Sequence, residues 1–316
     1  MILIASHDAD DHAQAVLRQI RAAGHPVTQV DTAEYPRRIT HALRYGEGGG
    51  GELVSRGESL ALDRIGCVWW RRPQPYALDP GLDPGTASFA FTECHEAMSG
   101  MWHALDAMWV NPPASDEVAH HKPLQLARAE EVGLSVPRTL ITNDPAAAAA
   151  FVEDLGVGRT IYKTFIATEE NWRETRLLKE GELELLEAVR LAPVIFQEYV
   201  DAAADVRVTV VGDVLLTAEI AVAPTSYPVD YRMDMGAASF TPAELPADVA
   251  EKVLELMKRL DIVYGAIDLR RTRDGAYVFL EVNPAGEWLF VEERTGQPIT
   301  AAVTDLLIRL DPKERS

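Results

Sequence analysis

The chain has 316 residues, of which 47% are hydrophobic and 25% charged, a composition typical of a globular protein with two or three compact subdomains. Its formal net charge of −19 at pH 7 argues against binding to the phosphate backbone of nucleic acids. No apolar stretch is long enough to cross a bilayer, and the acidic start does not resemble a signal peptide. Two cysteines, Cys67 and Cys94, make no disulfide framework, so we expect a cytoplasmic protein.

Strands and helices alternate over the first third of the sequence. "MILIAS" predicts a buried strand, residues 9–23 predict an amphipathic helix that ends at Gly24, and "PVTQVDT" predicts a second strand. A helix that connects two strands is typical of a parallel sheet. "GEGGGG" (46–51) predicts a turn between a helix-like segment and a hairpin. "IGCVWWRRP" then predicts a strand, and a helix-rich stretch is expected over about 86–108.

The pattern changes near Pro112-Pro113, where we expect a domain boundary. A helix is predicted over about 121–132, and another begins after Asp144, a typical N-cap residue that precedes Pro145. The later segments predict strands at "PRTLIT", "RTIYKTF" and "PVIFQEYV", helices at "EGELELLEAVRLA" and "AELPADVAEKVLELMKRLD", a hairpin around Gly212-Asp213, two further strands and a last helix over about 298–310.

The last two predicted strands bring two carboxylates together. Asp274-Gly275 is a strong signal for a hairpin with a two-residue turn. In that register Asp268 faces Glu281, and Asn283 lies on the same face. The other face carries the apolar side chains, which are Ile267, Leu269, Val278, Leu280 and Val282.

Two interpretations of this polar face are open: a solvated sheet surface or a cation site. Directly opposed carboxylates are unfavourable unless something neutralises them, and a set of oxygen ligands suits Mg²⁺, which usually bridges carboxylates to phosphates. A P-loop motif is missing, and "GEGGGG" precedes a hairpin instead of opening a helix, so it is interpreted as a loop. Lys122 and Lys163 are candidates for phosphate contacts, although each could equally be a surface lysine.

Taken together, these segments resemble the ATP-grasp superfamily. The resemblance covers about residues 112–312 and rests on "HHKP", "VPRTL", "IYKTF", "FQEYV", "DVR", "DYR", "GAIDLR" and "LEVNPAGEW" in this order. "VWWRRP", "APVIFQEYV", "VDYR" and "EVNPAGEW" are most similar to the microviridin-type peptide ligases, which make the graspetides. This resemblance implies an α/β (α+β ATP-grasp) fold. A parallel-sheet pre-ATP-grasp domain (1–112) would precede a central (113–196) and a C-terminal (197–316) subdomain, which clasp ATP between them.

The resemblance also implies a nucleotide site. Lys122 and Lys163 would contact the phosphates of ATP, with Lys163 also near the adenine. Adenine would sit on a hinge formed by Gln197, Glu198, Tyr199 and Val200. There Glu198 would accept from the exocyclic amine and the backbone N–H of Val200 would face the base. Asp205 would lie near the ribose.

The remaining site residues match the metal and reaction centre of the family. The expected Mg²⁺ ligands are Asp268, Glu281 and Asn283. Arg207 and Arg232 match arginines near the γ-phosphate and the acyl phosphate. Arg71 and Arg72 are either a pair that attracts acidic substrate residues or an exposed basic pair at a strand end.

The implied activity is ATP-dependent macrocyclisation of a ribosomal precursor peptide. An Asp or Glu carboxylate would become an acyl phosphate, and a Ser or Thr hydroxyl (ester) or a Lys amine (amide) would then displace phosphate. A leader segment would contact regions 206–221 and 242–260. Neither nucleic acid nor membrane is expected as a partner, and a homodimer is left open. The alternatives are another ATP-grasp carboxylate–amine ligase, which would join amino acids or extend a protein tail with glutamate, and a binding protein without catalysis.

Overall fold

The computed structural model describes residues 1–46, 48–165, 175–221, 236 and 238–312. Within these ranges, no helix is both long and apolar enough to cross a membrane. The described residues form α/β layers around three sheets of four or five strands and one smaller sheet.

The N-terminal part contains a parallel sheet and a small antiparallel one. In chain order its elements are β1 (Ile2–Ala5), α1 (Asp11–Ala22), β2 (Val27–Val30), β3 (Ile39–Arg44), β4 (Gly50–Ser55), β5 (Glu58–Ala61), β6 (Cys67–Trp70), α2 (Pro84–Ala104) and β7 (Met108–Val110). The order β2-β1-β6-β7 is parallel throughout, which confirms the predicted parallel sheet. The helix-like segment expected before "GEGGGG" is wrong, because that segment is β3 and its backbone pairs with β4.

The middle of the chain forms an antiparallel sheet. Its elements are α3 (Pro113–Ala119), α4 (Lys122–Glu131), β8 (Thr139–Thr142), α5 (Pro145–Leu155), β9 (Thr160–Lys163), β10 (Arg176–Leu177), a 3₁₀ helix (Glu180–Leu191) and β11 (Val194–Glu198). The strand order is β10-β9-β11-β8, and α5 and the 3₁₀ helix cover one face. The Asp144 cap is confirmed, since its carboxylate accepts from the N–H of Ala146 at 2.9 Å.

The C-terminal part is built on a five-stranded antiparallel sheet. Its elements are β12 (Ala202–Val211), β13 (Val214–Ala221), β14 (Ser239–Ala243), α6 (Ala247–Arg259), β15 (Tyr264–Thr272), β16 (Tyr277–Asn283), α7 (Leu289–Thr295) and α8 (Ile299–Leu310). The strand order is β14-β13-β12-β15-β16. The Gly212-Asp213 turn is confirmed, because Val211 pairs with Val214. The sequence did not predict α7, which follows "PAGEW" directly.

The β15–β16 hairpin reaches the predicted pairing through an unpredicted turn. Asp268 pairs with Glu281, as expected. The turn, however, is one residue longer than predicted, because the N–H of Thr272 donates to the carbonyl of Ala276 at 2.8 Å. Gly275 sits in it at φ +89°, the left-handed conformation that a three-residue hairpin loop requires.

A β-bulge in β16 restores the register beyond this turn. Leu269 pairs with Phe279, whereas the preceding Asp268 already pairs with Glu281 two residues later. Leu280 is therefore an extra residue on β16. Phe279 is fully buried against Leu269 in the core. The predicted core face is thus wrong at Val278 and Leu280, because the bulge turns Phe279 inward in their place.

The parallel sheet carries a core on each face. One face packs against α2, and the other against α1 and α8. α1 begins at Asp10, whose carboxylate accepts from the N–H groups of His12 and Ala13 at 3.0 and 3.3 Å. The core beneath α1 and α8 also contains Trp69 and Trp288, both fully buried. The segment after β16 is therefore packed directly against the N-terminal sheet.

Candidate active site

Three charged residues lie in one row across the C-terminal sheet. Arg207 on β12 pairs with Asp268 on β15, which in turn pairs with Glu281 on β16. Nη1 of Arg207 donates to both carboxylate oxygens of Asp268, at 2.9 and 3.0 Å. Arg207 is only 6% exposed, so this charged hydrogen bond is shielded from water. One of the two opposed carboxylates is therefore neutralised from within the sheet.

The other carboxylate binds Lys122, the first residue of α4. Nζ of Lys122 forms an ion pair with Glu281. Gln125 fixes α4 beside β16, because its Nε2 donates to the carbonyl of Val282 at 2.8 Å and its Oε1 accepts from the N–H of Val282 at 3.1 Å. The amide thus continues the hydrogen-bond ladder at the outer edge of the sheet. The sequence did not single out Gln125, although its spacing from Lys122 puts both on one side of a helix.

Asn283 ends β16 on the same face as Glu281. Its side chain is exposed, and its Oδ1 accepts from the N–H of Ala285 at 3.0 Å. The residues that follow, 284–287, form a loop between β16 and Trp288. The orientation of the Asn283 amide therefore depends on the start of this loop.

Arg270 ties the predicted adenine hinge to the same sheet. Its Nε donates to Asp205 at 2.8 Å, and its Nη1 donates to the carbonyl of Val200 at 2.8 Å. Its guanidinium also lies 5.4 Å from the ring centre of Tyr199. Asp205, expected near the ribose, is thus in contact with a buried arginine that the sequence did not single out. Arg270 stands two residues after Asp268, and that spacing puts both on one face of a strand.

The first half of the hinge belongs to the middle sheet. The backbone N–H of Glu198 donates to the carbonyl of Arg138 at 2.8 Å, and its carboxylate accepts from Arg159 at 2.9 Å. Gln197 is buried and donates to the hydroxyl of Thr139 at 2.8 Å. Residues at the starts of β8 and β9 therefore hold the first half of the hinge, and Arg270 holds its end.

Lys163 and Arg232 are the remaining predicted residues of the nucleotide and reaction site. Lys163 is on β9, opposite Ile195, and lines a cavity of about 400 Å³ together with Arg176. Arg232 lies outside the described residues, so its predicted role stays a prediction.

Arg71 and Arg72 follow β6 and have different environments. Arg71 is 1% exposed; its Nε donates to Asp10 at 3.2 Å, and its Nη1 donates to two carbonyls of the 284–287 loop, at 2.6 and 2.9 Å. Arg72 is partly exposed and forms an ion pair with Glu287 at 3.0 Å. The alternative of an exposed basic pair is therefore wrong for Arg71, because its guanidinium is enclosed.

Burial shifts the pKa of two groups beside Arg71. It raises the pKa of Tyr264 to about 12, so the hydroxyl stays protonated and donates to the carbonyl of Gly286 at 2.7 Å. Burial, followed by the charge of Arg71, lowers the pKa of His12 to about 4. At neutral pH His12 is therefore uncharged, and Asp10 carries the countercharge of Arg71.

The oxygen donors at the end of β16 fit a magnesium ion. Asp268, Glu281 and Asn283 offer two carboxylates and an amide. In the part of the chain that the structure describes, no group of three or more His, Cys, Asp or Glu side chains could hold a metal. Mg²⁺ usually takes one or two protein carboxylates and completes its shell with phosphates and water. The set fits Mg²⁺ that arrives with a nucleotide.

Comparison with known proteins shows the family of the chain. Residues 1–117 match the family model of the MvdD pre-ATP grasp domain. The macrocyclase MdnC from Microcystis aeruginosa MRC, solved with the precursor peptide MdnA, is 30% identical at a TM-score of 0.87, over 98% of this chain and 99% of that chain. The chain belongs to the RiPP ATP-grasp macrocyclases. RiPP stands for ribosomally synthesised and post-translationally modified peptide. No curated protein sequence matches it.

Two other structures support the same family. A RiPP-associated ATP-grasp ligase from Chryseobacterium gregarium, in complex with ADP and a leader and core peptide, is 27% identical with a TM-score of 0.87 over 98% of this chain and 97% of that chain. The ATP-grasp ligase PsnB, complexed with a minimal precursor, Mg and ADP, is 26% identical with a TM-score of 0.79 over 98% and 97%. This macrocyclase is thus an ATP-grasp ligase, and its whole length corresponds to theirs.

Proposed function

We propose that this macrocyclase uses ATP and Mg²⁺ to activate Asp or Glu side chains of a ribosomal precursor peptide and joins them to Ser or Thr hydroxyls, or to Lys amines, of the same peptide. The observation that carries the proposal is the row Arg207–Asp268–Glu281 with Lys122 at its end. Two carboxylates that can share Mg²⁺ stand between two cations that can face phosphate. This arrangement suits the transfer of a phosphoryl group to a carboxylate, in which anion meets anion.

Arg207 would stabilise negative charge during phosphoryl transfer. The hydrogen bonds from its Nη1 to both oxygens of Asp268 and from its Nη2 to the carbonyl of Glu287 at 3.1 Å fix the guanidinium. A fixed cation needs no reorganisation as charge develops, which is the main advantage of such electrostatic catalysis. Lys122 would add a second, more mobile positive charge. Bound ATP supplies the phosphoryl group, and Mg²⁺ held by Asp268, Glu281 and Asn283 would neutralise phosphate charge.

The hinge would hold adenine at a fixed distance from this row. Arg270 binds the Val200 carbonyl, which restrains the backbone whose N–H would face the base. Lys163 would reach the nucleotide from the middle sheet. The peptide product of the first step would be an acyl phosphate, and attack by a hydroxyl or amine of the same peptide would release phosphate and close the ring. A leader segment would bind regions 206–221 and 242–260.

The test combines the protein with ATP, Mg²⁺ and candidate precursor peptides that carry repeated Ser or Thr and Asp or Glu blocks, starting with any small open reading frame found next to its gene. The expected result is release of ADP with loss of one water mass per crosslink, measured by mass spectrometry. Glu281→Gln should abolish the mass loss, and Asp154→Asn, which alters an exposed ion pair with Arg138 remote from the row, should not.

The same products distinguish the alternatives. Mild alkaline hydrolysis opens esters and leaves amides, so it separates the two kinds of crosslink. A mass increase that equals a second molecule, in place of a loss of water, would indicate a carboxylate–amine ligase of another type. If no peptide causes ADP release, the alternative of a binding protein without catalysis is favoured instead.

A further inference from the structure

The 284–287 loop is held by side chains along its whole length. The carbonyl of Pro284 accepts from Asn111 at 3.3 Å, that of Ala285 from Arg71, and that of Gly286 from Arg71 and Tyr264. The carbonyl of Glu287 accepts from Arg207 at 3.1 Å. Four consecutive carbonyls therefore accept from side chains, and the donors are Asn111, Arg71, Tyr264 and Arg207.

These donors join the N-terminal sheet to the reaction centre. Arg71 follows β6 and Asn111 follows β7, so both extend from the carboxyl ends of parallel strands. Arg207 approaches the loop from the other side and binds Asp268 with its other nitrogen. The loop thus lies between a buried arginine of the N-terminal part and the arginine proposed to act on phosphate. A shift of the loop on one side must be accommodated on the other.

The Arg71 guanidinium is enclosed by two aromatic rings and a carboxylate. Its guanidinium carbon lies 5.8 Å from the ring centre of Trp69 and 5.2 Å from that of Trp288, and Asp10 holds its Nε. Asp10 itself accepts from Ser6 at 2.9 Å and from the first turn of α1. A side chain enclosed in this way cannot reach a peptide substrate, but it can hold a backbone segment at one position.

The packing beneath the loop makes its position sensitive. A Cβ added at Gly286 would lie 2.2 Å from the Cβ of Ala266 and 3.2 Å from Nη2 of Arg207. The loop backbone therefore lies directly on β15 and beside Arg207. Small displacements of the loop are not absorbed by empty space, so they would move Arg207.

We propose that Arg71 is a positioning residue: by binding the carbonyls of Ala285 and Gly286 it sets the loop that orients Arg207 and the Asn283 end of the metal site. This positioning role replaces the expectation that Arg71 contacts acidic residues of the substrate. The role assigned to Arg207 rests on the proposed function, whereas the control of the loop by Arg71 can be measured without nucleotide or peptide.

The first test is hydrogen exchange of the free protein. Arg71→Lys keeps the charge but loses the fixed fork of donors, so the amides of residues 285–288 should exchange at least tenfold faster. Tyr264→Phe removes only the second donor to the carbonyl of Gly286, so it should increase the exchange rate of the same amides by a smaller factor. This variant also keeps the test available if Arg71→Lys does not fold. The matched control is Ile65→Ala, in the core on the opposite face of the sheet. It should lower the melting temperature without selective exchange in the loop.

The second test asks whether Arg71 acts through Arg207. The affinities of a non-hydrolysable ATP analogue and of ADP are compared in Arg71→Lys, Arg207→Lys and the double variant. Each single variant should weaken analogue binding about tenfold relative to ADP, and the double variant should lose no more than Arg207→Lys alone. Ile65→Ala should leave the ratio of the two affinities unchanged, because a general loss of stability does not distinguish the nucleotides.

The outcomes separate this inference from the proposed function. The positioning role is overturned if the loop amides exchange as fast in Ile65→Ala as in Arg71→Lys or Tyr264→Phe. It is also overturned if the loss of analogue affinity in the double variant equals the product of the losses in Arg71→Lys and Arg207→Lys. A wild-type protein that releases no ADP with its peptide overturns the proposed function, and the exchange experiment still decides whether Arg71 controls the loop.

Discussion

Asp268 and Glu281 face each other on adjacent strands, and each carboxylate binds a cation from a different part of the chain. Arg207 comes from the neighbouring strand β12 and Lys122 from the start of α4. Two opposed carboxylates would destabilise a hairpin without such partners. The two ion pairs differ in burial, because the Arg207 side chain is 8% exposed and that of Lys122 is 19% exposed.

This difference predicts that the two carboxylates contribute unequally to stability and equally to activity. Asp268→Asn leaves a nearly buried guanidinium without its countercharge and should cost about 2 kcal/mol of unfolding free energy. Glu281→Gln leaves a lysine that can turn to water and should cost less than about 1 kcal/mol. Both should lower ADP release at least 100-fold. Denaturant unfolding and ADP release check the pair, and equal stability losses would contradict the burial argument.

The Gly286 backbone gives a second prediction. Gly286→Ala places a methyl group against Ala266, and such overpacking typically costs about 1–3 kcal/mol. The displaced loop should also lower ADP release more than tenfold. Ala266→Gly removes the opposing methyl, so the double variant should recover part of both losses.

The control for this swap is Gly158→Ala, since a Cβ at Gly158 meets no atom within 4 Å. It should leave turnover unchanged and alter stability by less than about 1 kcal/mol. If the double variant of Gly286 and Ala266 is neither more stable nor more active in ADP release than Gly286→Ala, close packing on β15 is not the reason for the glycine.

The hinge gives a third prediction, through Arg270. Arg270→Lys cannot bind Asp205 and the Val200 carbonyl in the same fork geometry. Nucleotide affinity should fall about tenfold, which corresponds to about 1.4 kcal/mol. Turnover at saturating ATP should change less, because Arg207 and the proposed metal ligands are untouched.

Arg271 provides the matched control for Arg270. It is the next residue on the same strand, points to the other face and pairs with Glu219 at 2.7 and 2.9 Å. Arg271→Lys should therefore leave nucleotide affinity unchanged in a calorimetric titration. Equal losses in both variants would show that the sheet as a whole, and not the hinge contact, controls nucleotide binding.

Local patterns were sufficient to predict some of this site and insufficient for the rest. The predicted short hairpin placed Asp268 opposite Glu281, and the structure has the same pair. It reaches this pairing differently, because the turn is one residue longer and the bulge at Leu280 compensates for the extra residue. Neither feature was visible in the sequence. Phe279 entered the core for the same reason. Periodicity cannot report a bulge, because one extra residue shifts every later side chain to the other face.

Contacts between distant parts of the chain could not be predicted from local patterns. Arg71 binds the 284–287 loop across more than 200 residues, and nothing in "VWWRRP" distinguishes the enclosed arginine from the partly exposed Arg72. Gln125 had the right helical spacing, but its partner Val282 is on an edge strand whose neighbour only the fold defines. Such contacts depend on how the sheets stack, which propensity and spacing do not specify.

The last prediction concerns pH and His12. Its pKa is lowered to about 4 by burial and by the charge of Arg71, from the usual 6.5. Between these values the unfolded chain binds a proton that the folded protein excludes, so folding stability falls as pH drops from 6.5 towards 4. Since one pKa unit corresponds to about 1.4 kcal/mol, this histidine should account for a loss on the order of 3 kcal/mol at pH 4.

His12→Phe tests this assignment. Phenylalanine keeps an aromatic ring against Trp288, whose ring centre lies 4.5 Å from that of His12, but it cannot be protonated. Unfolding by denaturant at a series of pH values should therefore give a flatter profile between pH 6.5 and 4 for this variant than for the wild type. His103→Gln, at an exposed position near the end of α2, should leave the wild-type slope in place. Parallel profiles for the wild type and His12→Phe would show that other groups cause the acid sensitivity.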